Sequence, residues 1–475
     1  MDDPDAEERE AAHWRDVCRA LLSYEDFLGD EVLRRQRHLN RLSDRHAALL
    51  PSSTFERVAA TVNAARCNQE MLQDMVSQYV HKMTRRGDPV LLPRKDEGPP
   101  IYATQLHRTE AILHSLHREW TADGRKEREA IFEPLLDALQ RYLPVKSPDV
   151  AFRQRVLVPG CGTGRLPLEV AIRGYAAEAN EFSAFMLIAA DFVLNGLDRP
   201  EQLHFYPFVS TVCNVVAAAD PTVPHLLPDV SAYEALLDSP HFQQKQQADD
   251  EARRARASAR AQAESQGRAA AAAAAGEYSD DEDEDECCWE CRSAAGTSAQ
   301  WRQIPALPPL GMSSGDFVQL FGAATPAAAG SYDCVLTCFF VDTAPNVIDY
   351  LDTIFHALRP GGYWINLGPL LYHWTNDSES SGDERFDQSI ELSYEELKHV
   401  VRGVGLRFVE ERRVPCTYTR NTRSIMHNVF DALFFVCRKP AQPRRKARFQ
   451  PPAPPPRLQR QQRQQAASAA AVGSA

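Results

Sequence analysis

Apolar positions in the first part of the chain fall at helical intervals. Trp14, Val17, Leu21, Leu22, Phe27 and Leu28 recur about one turn apart with charges between them, the pattern of a helix with one buried face. The same spacing runs through Phe55–Met83 and Ile112–Leu143, and Pro93–Pro100, rich in proline and charge, breaks the region in two. Residues 1–145 therefore read as a helical layer packed on the domain that follows.

From Arg155 the period changes. Arg155–Pro159 is a short apolar strand, and Arg165–Arg173 is a helix stopped by Gly174. Tyr175–Glu181 is a second strand, with a helix through Phe185–Asn195 behind it. Further on, Asp333–Phe340 reads as a strand, Val347–Leu358 as a helix and Tyr363–Leu367 as the next strand. Tyr394–Val404 is a helix, and Arg407–Arg413 with Ala432–Arg438 close the series as a hairpin. Strands alternating with helices predict an α/β fold, a doubly wound Rossmann-like sheet with an N-terminal helical domain. The sheet domain spans 146–242 and 301–439.

Two stretches carry no core-forming pattern. Residues 243–300 hold Gln, Arg and Ala runs and then seven consecutive acids, Asp280–Glu286. With no apolar stripe to dock it, this insertion is expected to be disordered. The tail, 440–475, is rich in Pro, Gln, Arg and Ala and is expected to be disordered too. Its Arg444-Arg445-Lys446-Ala447-Arg448 reads as a solubilising tail first and as a nuclear-localisation patch second.

Charge and cysteine usage narrow the function classes. A net charge of −12 argues against nucleic acid as the main partner, because phosphate binding needs a basic face. The longest apolar run, Phe185–Leu194, is short and contains Asp191, so no membrane span is expected. The 11 cysteines are scattered and the N-terminus is acidic. A soluble, intracellular, reduced protein is expected, in the cytoplasm or also the nucleus. Cys287, Cys288 and Cys291 make one isolated C-x-x-C beside the acidic run. A structural zinc site needs about four ligands, so no metal is expected.

The chemistry concentrates at Val158-Pro159-Gly160-Cys161-Gly162-Thr163-Gly164, between a strand and a helix. Glycines let the backbone turn sharply and approach a ligand, and the helix behind offers free N–H groups. Such a loop serves dehydrogenases and methyltransferases alike. Glu181, 21 residues after Gly160 at the end of the second strand, suits the hydroxyls of a ribose in either cofactor, and only a bland reading leaves it a surface acid. Leu358-Arg359-Pro360-Gly361-Gly362-Tyr363, a helix stop running into a strand, resembles class I methyltransferases. No dehydrogenase-type substrate domain follows, which disfavours an NAD enzyme. Cys161 lies near a helix N-terminus, where thiols can be reactive, but a small loop filler is the preferred reading.

Longer strings resemble one family in detail, the carnosine N-methyltransferases (the N2227-like family). They are V-L-V-P-G-C-G-T-G-R-L at 156–166, N-E-F-S-A-F-M-L at 180–187 and D-F-V-L-N at 191–195. S-G-D-F at 314–317, T-C-F-F-V-D-T-A-P-N-V-I-D-Y at 337–350, W-I-N-L-G-P-L-L-Y-H-W at 364–374 and T-Y-T-R-N at 417–421 complete the set. The resemblance implies methyl transfer from S-adenosylmethionine to an imidazole nitrogen of β-alanyl-histidine. It implies cofactor contacts from Arg118, Gly160, Gly162 and Glu181, with Asp316 and Phe317 flanking the adenine and Cys338 nearby. Ser115 stands where the family pattern implies a glutamine. For the substrate it implies Asp342, His373 and Tyr418, and Phe430 stands where a tyrosine hydroxyl is implied. A homodimer through the helical region is the one further association the resemblance suggests.

The residues themselves place Asp342 and His373 after two successive strands, on the carboxyl edge where doubly wound sheets bind ligands. A carboxylate there can accept the N–H of an imidazole whose other nitrogen takes the methyl group. An ordinary helix cap for Asp342 and a packed polar residue for His373 are the competing readings. Two other functions stay open from the sequence: methylation of histidine in another peptide or protein, and a non-catalytic cofactor-binding scaffold.

Overall fold

The computed structural model describes residues 4–85, 103–273, 310–375 and 386–441. Pro93–Pro100, the acidic run with Cys287, Cys288 and Cys291, and the basic cluster at Arg444 lie outside them.

The helical region forms as its spacing implies, in more pieces than the periodicity separates. The elements are α1 (Pro4–Leu22), α2 (Tyr24–Leu39), the single turn α3 (Asp44–Ala47), α4 (Ser52–Arg85), α5 (Ala103–Trp120) and α6 (Arg125–Tyr142). The break between α5 and α6 is fixed by local chemistry. Thr121 Oγ1 donates to the His117 carbonyl at 2.7 Å and accepts from the Gly124 N–H at 3.0 Å. A Cβ on Gly124 would sit 2.2 Å from the His117 oxygen, so the turn requires glycine.

The α/β region begins with β1 (Arg155–Pro159), α7 (Arg165–Ile172), β2 (Ala176–Glu181) and α8 (Ala184–Asp191), which ends in a π-helical turn, Phe192–Gly196. A small hairpin follows, β3 (Leu203–Phe205) with β4 (His225–Leu227), then α9 (Ala232–Leu237) and α10 (Pro240–Ala273). The last elements are β5 (Leu310–Ser314), α11 (Phe317–Phe321), β6 (Tyr332–Cys338), α12 (Val347–Ala357), β7 (Leu358–Gly368), α13 (Tyr394–Val404), β8 (Arg407–Thr417) and β9 (Val429–Arg438). The seven-stranded sheet runs β5-β2-β1-β6-β7-β9-β8, and β9 alone runs opposite to the other six strands. The chain winds outward from β1 to β5, then returns to β6 on the other side of β1. That reversal puts the topological switch point between β1 and β6, where such sheets bind ligands.

Alternation along each strand divides the core in two. Val156, Val158, Leu336, Ile365 and Phe434 face α5–α8, whereas Leu157, Val335, Trp364 and Phe435 face α11–α13. Trp364 and Phe434 are fully buried, and each contributes roughly 1.5–3 kcal/mol through the area it removes from water. Helices of the N-terminal region share the first of these cores, so they are built into the sheet domain's own packing.

One expectation needs correction. The first half of the 243–300 insertion is helical, within α10. Ala, Gln, Arg and Glu are strong helix formers, Lys245 pairs with Asp249 one turn on at 2.7 Å, and the buried Phe242 anchors the start. The absence of an apolar stripe weighed against docking but not against helix formation. The strand β5 and the hairpin β3–β4 were not evident from the sequence, because β5 (Leu-Gly-Met-Ser-Ser) has no apolar run and β3 and β4 have three residues each.

Candidate active site

The loop after β1 is built on glycine conformations. Gly160, Gly162 and Gly164 have φ of +62°, +58° and +85°. A Cβ at Gly160 would lie 2.3 Å from the Phe340 ring, whereas at Gly162 only Glu119 Oε1 comes within reach, at 3.4 Å. The face of the loop at Gly162 is thus the one open to a ligand.

Glu181 closes this loop from the side. Its Oε2 accepts from the Gly162 N–H at 2.9 Å, and its Oε1 accepts from the N–H groups of Phe182 at 2.9 Å and Ser183 at 2.8 Å. A carboxylate has about four acceptor positions, so roughly one remains for a ribose hydroxyl. Burial lifts the Glu181 carboxyl while the three N–H groups pull it down. Thus Glu181 shapes the loop as well as facing it.

The last turn of α5 docks on the same loop. Trp120 Nε1 donates to Thr163 Oγ1 at 3.1 Å and to its carbonyl at 3.2 Å, and Thr163 Oγ1 donates to Glu119. Arg118 is buried, pairs with Glu119 through Nη2, and leaves Nη1 buried without a partner. An orphaned guanidinium nitrogen beside a glycine loop fits a carboxylate of a bound molecule, since an unmade buried hydrogen bond is costly. Ser115, one turn earlier, is buried, and its hydroxyl makes no hydrogen bond among the described residues.

On the adjoining edge, Ser314 pairs in register with Glu181, and the Gly315 N–H donates to the Glu181 carbonyl at 3.0 Å. Asp316 therefore follows directly. Its carboxylate caps α11 by accepting from the Gln319 N–H at 2.9 Å, leaving one oxygen uncommitted to the cap. Phe317 is buried and meets the Phe340 ring edge-on at 5.3 Å. Cys338 ends β6, half-buried, with its thiol pushed up by burial and drawn down by Arg118. Burial, Glu181 and Glu119 likewise push the Cys161 thiol well up, which agrees with a loop filler and not a nucleophile.

Two residues after the sheet edge are stitched together. Asp342 is buried, with Oδ2 accepting from the Leu371 N–H at 2.8 Å and its carbonyl accepting from the His373 N–H at 3.0 Å. Burial lifts the Asp342 carboxyl; the Leu371 N–H and the His373 ring act against that. Asp342 is not a helix cap: Asn346 caps α12. The His373 side chain is exposed, which disfavours the packed-residue reading.

Tyr418 lies between a cation and a ring. The Arg118 guanidinium stands 4.0 Å from its centroid, and Phe339 stacks on it at 4.2 Å. Phe430 meets Phe339 edge-on at 5.7 Å. Phe339 has φ of +51°, a left-handed conformation rare outside glycine. The adjacent Gly368 leaves no space for a side chain, because its Cβ would lie 3.1 Å from the Phe339 backbone.

Three contributors had no signal in the sequence. Phe339 sits in a run of apolar residues, and Glu119 reads as a solvated helical acid. Glu127 on α6 holds the turn around Tyr418: its carboxylate accepts from Thr417 Oγ1 at 3.1 Å, from the Arg420 N–H at 2.9 Å and from the Thr419 N–H. Only contact between segments 290 or more residues apart reveals that role.

A family model described as carnosine N-methyltransferase matches residues 96–248 and 294–441. A carnosine N-methyltransferase of Rattus norvegicus is 30% identical over 449 residues, covering 92% of this chain and 88% of that one. One of Schizosaccharomyces pombe is 26% identical over 448 residues, covering 94% of this chain and 99% of that one.

Proposed function

The chain belongs to the carnosine N-methyltransferase family, and from that premise we propose that it methylates an imidazole nitrogen of carnosine, with S-adenosylmethionine as methyl donor. The observation that carries the assignment to a site is the buried Asp342 carboxylate at the carboxyl edge of β6, held by Leu371. The cofactor suits the residues around the glycine loop. Arg118 has an unpaired buried nitrogen for the methionyl carboxylate, Glu181 retains acceptor capacity for the ribose, and Asp316 with Phe317 borders the adenine position. When bound, the cofactor supplies an electrophilic methyl group on a sulfonium.

The work left to the protein is orientation and charge matching. Imidazole has a pKa of about 6.5, so its neutral, nucleophilic form already dominates at neutral pH. One ring nitrogen must be held in line with the methyl at roughly 3–3.5 Å. The other nitrogen carries a proton, and Asp342 accepts that N–H. This fixes the tautomer and offsets the positive charge that grows on the ring as the new N–C bond forms. His373 and Tyr418 hold the ring or the dipeptide backbone, and Phe339 with Phe430 forms an apolar wall.

Phe430 favours a second reading in one respect. It offers no hydroxyl to a peptide, so other histidine-containing peptides are the natural comparison. Mass spectrometry of carnosine, homocarnosine, free histidine and histidine peptides incubated with S-adenosylmethionine separates the two. Fastest methylation of carnosine on a ring nitrogen is expected. A peptide turned over well ahead of an unmodified carnosine would sink the proposal.

A further inference from the structure

Outside the methyl-transfer site, three potential ligands from separate segments converge. His117 lies in the last turn of α5, Asp123 in the turn to α6, and His225 on β4. His225 Nδ1 stands 2.7 Å from Asp123 Oδ2, and the His117 and His225 rings meet edge-on with centroids 4.6 Å apart. One ligand atom from each residue lies within 4.8 Å of the others. Both histidines are buried, whereas the Asp123 side chain is 65% exposed and opens the group to solvent. Phe208 walls the cluster, against His117 at 4.9 Å and His225 at 6.0 Å.

Two buried imidazoles normally satisfy their nitrogens with protein partners. Here His225 Nδ1 alone has a hydrogen-bond partner among the described residues, and neither ring nitrogen of His117 has one. The His117 ring is thus buried, at 3% exposure, without a protein hydrogen bond to either nitrogen among the described residues. The α5–α6 turn is already fixed by Thr121 and Gly124, which presents Asp123 in a set direction.

We propose that His117, Asp123 and His225 form a binding site for a divalent transition-metal ion of the Zn2+ type. Two imidazoles and one carboxylate select such an ion over Ca2+ or Mg2+, and water completes a tetrahedron. With metal–ligand bonds of about 2.0–2.2 Å the ligand atoms need separations of about 3.3 Å, which side-chain rotation supplies from the observed arrangement. Positive charge nearby moderates the affinity. Arg118 and Arg423 both act on these histidines, although Arg423 is partly neutralised by Asp220 at 3.6 Å. The ion would be an exchangeable clasp tying the hairpin β3–β4 to the end of α5. His117 directly precedes Arg118, so the clasp would steady the helix end that reaches the glycine loop.

The test uses the full chain, stripped by chelation and titrated with Co2+ and then Zn2+. One equivalent of Co2+ is expected to give visible d–d bands without a thiolate charge-transfer band in the near ultraviolet, and Zn2+ to displace it and raise the melting temperature. Asp123→Asn, at an exposed side chain, and His225→Asn are each expected to weaken binding by at least about tenfold, roughly 1.4 kcal/mol. The Asp123→Asn protein, free of metal, should bind S-adenosylhomocysteine as the stripped parent does, showing that its fold is intact. No Co2+ binding, binding unchanged in both variants, or a thiolate band that assigns the ion to cysteines would each overturn the proposal.

Discussion

The Arg118 guanidinium lies 4.0 Å from the centre of the Tyr418 ring, joining the N-terminal helical region to the β8–β9 connection. A desolvated cation–π contact is worth about 2 kcal/mol, and here it aligns a guanidinium whose Nη1 has no protein partner. Arg118→Lys keeps the charge but loses the planar fork. It is expected to weaken S-adenosylhomocysteine binding by about tenfold or more. Tyr418→Phe keeps the ring under Arg118 and should leave cofactor affinity nearly unchanged, while Tyr418→Ala should weaken it; calorimetry on the three variants distinguishes these outcomes.

Asp342 sets an acid limb. Burial raises its folded-state pKa, and in the proposed mechanism the ionised form is the one that accepts the imidazole N–H. In kcat/KM, which reports the free groups, the substrate imidazole near 6.5 gives one acid limb, and Asp342 should add a second proton dependence at a higher pH than an exposed Asp, near 3.9, would give. Asp342→Asn is expected to lower kcat by about a hundredfold or more and to remove that second dependence. A kcat within twofold of the parent would exclude the role given to Asp342.

The same shift has a stability consequence of opposite sign. A carboxyl whose folded pKa exceeds its unfolded value supports the fold below the unfolded pKa, and that support is lost as the pH rises through the folded pKa. At neutral pH the ionised Asp342 is thus a burden on the fold. The melting temperature of Asp342→Asn should equal or exceed that of the parent at pH 7, and the difference should shrink on acidification.

The sheet was largely legible in the sequence because β1, β2, β6 and β7 alternate apolar residues toward two buried faces, and because glycines punctuate the turn at Gly160–Gly164. Asp342 and His373 stood out as candidates for a different reason: they follow strands on the carboxyl edge, where doubly wound sheets bind ligands. The rest depended on contacts between distant segments. Nothing local distinguishes Glu127 from its helical neighbours, or His117 from any core histidine, until β8–β9 and β4 come to lie beside them. The three-residue strands β3 and β4 fall below the length at which periodicity speaks, so the cluster they help form was not visible. The α10 helix was missed because, beyond the anchor at Phe242, it has helix propensity but no apolar stripe.

Glu127 tests whether the turn bearing Tyr418 needs its anchor. With three donors from Thr417, Thr419 and Arg420 converging on one carboxylate, Glu127→Ala strands two backbone N–H groups. The expected result is a rise of about tenfold in KM for carnosine, with a smaller change in cofactor affinity. Glu127→Gln, which retains acceptor oxygen, should recover part of the loss. Equal loss in both variants, or loss confined to the cofactor, would show that the turn is held by something else.

Asp229 carries the last expectation, which concerns the support of the glycine loop. Its buried carboxylate joins Arg128 of α6 and Arg165 of α7, each at 2.6 Å, and its backbone N–H donates to the Trp120 carbonyl at 2.7 Å. Removing the charge leaves two buried guanidinium groups facing each other. Breaking one partner of such a group costs roughly 3–5 kcal/mol, so Asp229→Asn should lower the melting temperature markedly. Because Trp120 also bonds to Thr163 in the loop, cofactor affinity should fall with it. The double replacement Asp229→Asn with Arg128→Met removes one unpaired cation as well, and should recover stability relative to the single variant. If the double variant melts no higher than Asp229→Asn, charge left unpaired is not the cause of the loss.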